Sequence, residues 1–157
     1  MSAGRPPFSF ILLDLPSDHE LDDRLVTECD MLRAMLHNRG FKSKIKVIRA
    51  TSTHAVQSIP DRLYPKVGFV HLSAHGGPEG VGLVGGSMSW ASIGSVVTKL
   101  VPPLGRDQQR VLSLSCCHSE DGYSALRHRL RKYYTGVYHF AEDGIGFAGN
   151  GGGDLNP

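Results

Sequence analysis

The feature that most constrains this chain is a series of short apolar runs, each about one strand long, alternating with segments of helical spacing. Phe8 to Leu15 is nearly continuous in apolar residues, the mark of a strand covered on both faces. Val67 to Ala74 reads the same way, and Arg110 to Cys116 and Gly136 to Ala141 supply two more. Between them, Ser17-Asp-His-Glu20 fits a capping box, and Leu21, Leu25, Cys29, Leu32 and Leu36 form one helical stripe that Gly40 should stop. Lys42, Lys44 and Lys46 alternate with Ser43, Ile45 and Val47, which predicts an edge strand guarded by charge. Helices are expected over 52–63, 89–100 and 120–132, with Pro102-Pro103 ending the second. The glycine-rich stretch Gly80 to Gly86 should form a small hairpin over the sheet edge.

Strand and helix therefore alternate throughout, which predicts an α/β chain with a mostly parallel sheet and helices on both faces. Five strands are expected, and only Gly144 to Ala148 could supply a sixth. Residues 1–148 read as one domain and 149–157 as a flexible glycine-rich tail. The 157 residues carry a formal net charge of +2, too small an excess for nucleic-acid binding by bulk electrostatics. No apolar run approaches the roughly 20 residues that span a bilayer, so no membrane partner is expected. Phe8 to Leu15 lacks a basic flank and a cleavage site, so a cytoplasmic location is expected. The three cysteines, Cys29, Cys116 and Cys117, make a poor disulfide framework and read as reduced thiols.

In an open parallel sheet, function gathers at the carboxyl ends of the strands. Two endings here are chemically loaded: Ser73-Ala-His75-Gly76 and Ser115-Cys-Cys117-His-Ser119. If their strands are neighbours, an imidazole and a thiol share one rim, as a cysteine nucleophile requires. Gly76 and Gly77 leave backbone N–H groups free to approach a substrate oxygen as an oxyanion hole.

These residues resemble those of a known group. His71-Leu-Ser-Ala-His75-Gly76 is similar to the histidine motif of caspase-like cysteine peptidases, especially bacterial CHAT-type domains. Leu114-Ser-Cys-Cys117-His-Ser119 resembles the nucleophile motif of the same superfamily. The resemblance implies a three-layer α/β/α caspase-like fold with a five- or six-stranded sheet. It also implies His75 as general base, Cys117 as nucleophile and a protein or peptide substrate cleaved through a thioester. Cys116 is the alternative nucleophile. Asp14, at the end of the first strand, points to a basic substrate residue, with Glu120 and Asp121 as helpers; the other reading is that Asp14 caps a helix or turn. Bacterial relatives serve as regulated effectors, including in self-destruction and defence, and activation by a partner domain fits so small a chain. The alternative function is an inactive caspase-like module used in assembly. No cofactor is expected, and no metal, because Cys116, Cys117 and His118 lack the usual spacing between zinc ligands.

Overall fold

The computed structural model describes residues 8–18, 27–61, 63–141 and 144–149. The elements run β1 (Phe10–Leu15), α1 (Glu28–Leu36), β2 (Ile45–Arg49), α2 (Thr53–Gln57), β3 (Phe69–Gly77), β4 (Gly80–Leu83), β5 (Gly86–Ser89), α3 (Trp90–Lys99), β6 (Val111–Ser115), α4 (Ser119–Leu130), β7 (Gly136–Ala141) and β8 (Gly144–Gly149). The main sheet has the order β2-β1-β3-β6-β7-β8, parallel except for the last pair. β4 and β5 form a hairpin that pairs antiparallel with the far end of β3. The fold is α/β with a mostly parallel, mixed sheet, and β8 is the sixth strand.

Strand alternation divides the burial between two faces. Ile11, Leu13 and Leu15 join Val70, Leu72, Leu112 and Leu114 in the main core, with Val56 of α2, Ile93 and Val97 of α3, and Leu126 and Leu130 of α4. Leu12 and Asp14 point the other way, as do His71 and Ser73 beside them, toward α1. Helices thus cover both faces, which makes three layers.

Glycine is required where α3 and α4 meet the core. A Cβ on Gly122 would stand 2.6 Å from the Trp90 ring, and one on Gly94 would stand 2.5 Å from Leu126. The indole closes this corner by donating to the carbonyls of Gly77 and Pro78.

The structure departs from the sequence expectations in four places. β3 does not close at His75 but runs through Gly77, because the β4 hairpin offers those residues a ladder and buries Val81. α2 is only five residues long, capped by Ser52 and ended before Pro60, which has no backbone N–H to donate. Lys42–Lys44 form a 3-10 turn after Gly40, whose φ of 87° breaks the helix, so β2 begins at Ile45. It remains an edge strand. The helix expected after Ser17 lies mostly outside the described residues. Extended Thr27 interrupts the expected stripe, and α1 starts from a capping box of its own there: Thr27 accepts from the Asp30 N–H at 3.2 Å and donates its own N–H to the Asp30 carboxylate at 3.2 Å.

Candidate functional site

β3 and β6 are sheet neighbours in the register Ser73 to Ser115, so their loaded endings leave the sheet side by side. After Ser115 the chain turns through Cys116, Cys117 and His118 into α4. His118 takes the left-handed conformation with φ 56°, which turns the strand directly into the helix. The turn is tied down from below: the Phe140 N–H donates to the buried Ser119 hydroxyl at 2.6 Å, joining the start of α4 to β7.

Gly76 is where the two motifs meet. A Cβ built there would fall on the carbonyl oxygen of Cys117, 2.9 Å from its carbon and 3.2 Å from the Cys116 Cβ. Only a residue without a side chain lets the backbones approach this closely. His75, one residue earlier, and Cys117 both line a cleft of about 620 Å³, together with Glu28, Ser115, Glu120 and Phe140. His75 also borders a neighbouring cavity of about 500 Å³ against the β4–β5 hairpin.

The three thiols differ sharply. Cys116 is 6% exposed and packs into the main core; burial, with Cys117 and Glu28 adding to it, pushes its thiol up to about 12. Burial and the nearby Asp14 and Glu28 carboxylates likewise hold the Cys29 thiol far above its ordinary range. Cys117 alone is exposed.

The remaining sequence candidates are scattered. Gly76 and Gly77 are not in an open loop: they lie in β3 opposite Val81 and Gly80, and border the second cavity. Asp14 does stand in the carboxyl-end row, opposite Arg49 and Ser73, but it is 1% exposed and does not line the cleft. Its Oδ2 accepts from Arg49 Nε at 2.7 Å and from the Thr27 hydroxyl at 3.1 Å. Arg49 also reaches Asp30 at 2.9 Å, so Asp14 helps fix the start of α1. Desolvation would raise the Asp30 carboxyl, but the hydrogen bonds from Thr27 and Arg49 outweigh it and hold it below its ordinary value. Glu120 lines the cleft, whereas Asp121 faces the His118 ring at 3.3 Å. Among the described residues, no three His, Cys, Asp or Glu side chains gather as a metal would need.

Glu28 is the cleft residue that sequence reasoning missed. It is the first residue of α1 and 41% exposed, accepting from the Ser115 hydroxyl at 2.8 Å. His71 Nε2 stands behind it, 3.4 Å from Oε2, within ion-pair range but outside hydrogen-bond geometry. The signal was Thr27-Glu-Cys-Asp30, a second capping pattern inside the helical stripe.

Burial lowers the His71 pKa below its ordinary 6.5, although Glu28 and Asp14 pull the other way. A histidine held neutral in the fold contributes stability above the unfolded value, and that stability is lost as pH falls from 6.5 through the lowered folded value. The urea midpoint is therefore expected to fall as pH drops below about 6.5. His71→Gln should flatten that slope; an unchanged slope would contradict the assignment.

Among known proteins, no family model and no curated sequence matches this chain. Among the described residues, no helix is long and apolar enough to cross a membrane.

Proposed function

We propose that this chain is a cysteine endopeptidase of caspase-like type, acting on a protein or peptide substrate in the cytoplasm. The observation that carries the reading is the seat of Gly76 against Cys117, which puts His75 and the one exposed thiol on the rim of a single cleft. In this reading His75 takes the Cys117 proton and the sulfur attacks the peptide carbonyl. The backbone N–H groups of Gly76 and Gly77 are the candidate donors to the oxyanion in this reading. His75 then returns the proton to the leaving amine, and water hydrolyses the thioester, giving the free acid and regenerating the thiol. Cys116 is set aside as nucleophile, because a thiol at about 12 stays protonated near neutral pH.

Selectivity for Arg or Lys before the cleaved bond falls in this reading to Glu28 and Glu120, the carboxylates that line the cleft. Asp14, engaged by Arg49 and Thr27, helps fix the start of α1, which carries Glu28. Tyr138 and Phe140 are exposed large aromatics on β7, and Phe140 borders the cleft, a surface suited to an activating partner.

A peptide panel with Arg, Lys or Asp before the test bond examines this reading. Cleavage after Arg and Lys is expected, absent in Cys117→Ala and in His75→Ala. Glu28→Gln should raise KM for the basic peptides about tenfold, the scale of one lost charge-assisted contact. Cleavage that persists in Cys117→Ala, or a preference for Asp, would overturn the proposal.

A further inference from the structure

A third hollow lies at the opposite end of the sheet from the cleft. It measures about 410 Å³ and is bordered by Arg33, His37, Lys42 and Lys46, with Phe8 and Ile45 as apolar wall. Phe8 and Ile45 lie at the amino ends of β1 and β2, whereas Asp14 and Arg49 mark the carboxyl ends, roughly 13 Å away along the strands.

Four basic residues border the hollow, and among the described residues no carboxylate does. Among the described residues, none of the four has a side-chain hydrogen bond or ion pair. Arg49, on the same strand as Lys46, shows the contrast: it is held by both Asp14 and Asp30. Familiar causes account for the parts but not for their meeting. Arg33 and His37, four residues apart, suit the negative carboxyl end of α1. Lys46 guards the β2 edge. Neither cause requires residues of the helix, the 3-10 turn and the strand to border one hollow without a counter-charge.

We propose that this hollow is a binding site for a small phosphorylated ligand carrying two or more negative charges. The Arg33 fork and the Lys42 ammonium supply directed donors and a point charge for phosphate oxygens. The volume is that of a small-molecule pocket, and Phe8 and Ile45 offer a surface to the ligand's carbon skeleton or ring. The inference is independent of the peptidase reading, since no residue of the hollow borders the cleft.

The test is titration of the intact chain with inorganic pyrophosphate and with ADP, followed by calorimetry and by amide shifts. Saturable one-to-one binding is expected, with shifts confined to the neighbourhood of Phe8 and residues 33–47 and an affinity that falls as salt is added. Arg33→Glu and Lys42→Glu, both at exposed positions, should each weaken binding about tenfold while keeping the wild-type urea midpoint. Arg131→Glu, beyond α4 and outside the hollow, should leave binding unchanged. ADP tighter than pyrophosphate assigns the apolar wall to a ring, and equal affinities assign the site to the phosphates alone; either result supports the proposal. Absence of saturation, equal loss in Arg131→Glu, or tighter binding of a hexaglutamate peptide with shifts along β2 would overturn it.

Discussion

Replacing Gly76 with alanine is expected to cost about 3 kcal/mol of stability, the upper range for forcing a methyl into a filled site. The obstacle is the Cys117 carbonyl, with the Cys116 Cβ at 3.2 Å behind it. Backbone cannot swing aside as the end of a flexible side chain can. Either β3 lifts from the turn or the turn lifts from the sheet, and both movements separate His75 from Cys117. Gly77→Ala provides the control, because a Cβ there meets nothing closer than the Gly80 carbonyl at 3.9 Å. It should change stability by no more than about 0.5 kcal/mol. Urea midpoints of the two variants decide the matter. Equal midpoints would mean that the close approach of the two motifs does not constrain the fold.

Arg110→Met is expected to be about as damaging, near 4 kcal/mol, for a different reason. Arg110 is 0% exposed just before β6, with no carboxylate partner among the described residues. Its Nε donates to the Val67 carbonyl at 2.9 Å, and Nη1 donates to those of Pro102 and Tyr133 at 2.8 and 2.9 Å. One guanidinium thus satisfies the ends of three connecting segments that carry no ladder of their own. Burial lowers its pKa, but the group stays charged at any ordinary pH. Methionine fills the volume and leaves three carbonyls without that donor, each loss of the order of 1 kcal/mol or more. Arg110→Lys should recover little, because an ammonium cannot reproduce the fork. Wild-type stability in either variant would contradict this account of the lower sheet.

The sequence made strands legible where burial on both faces left a nearly continuous apolar run, as in Phe10–Leu15, and where apolar and polar residues alternate, as in Val111–Ser115. The helix expected over 89–100 also forms, as Trp90–Lys99, capped by the Ser89 hydroxyl, which accepts from the Ser92 N–H. What could not be read was tertiary. Nothing in His75-Gly-Gly77 by itself says that a hairpin five residues later will extend the strand. Asp14 was identified as a rim residue, but its burial depends on Arg49, thirty-five positions away, which lies opposite it only once β1 and β2 pair. Glu28 was hidden for a related reason: a capping pattern inside a longer helical stripe looks like the interior of a helix. His75 and Cys117 were legible as neighbours on one rim because glycine and small residues mark where two strand endings can touch.

The most direct test of the central proposal is the rate of thiol alkylation against pH, mapped to each cysteine by mass spectrometry, in wild type and His75→Ala. Cys117 is expected to react fastest, and His75→Ala should slow it about tenfold near neutral pH while Cys29 and Cys116 stay slow in both proteins. A Cys117 rate indifferent to His75 would contradict the dyad, and with it the reading of this cleft as a peptidase site.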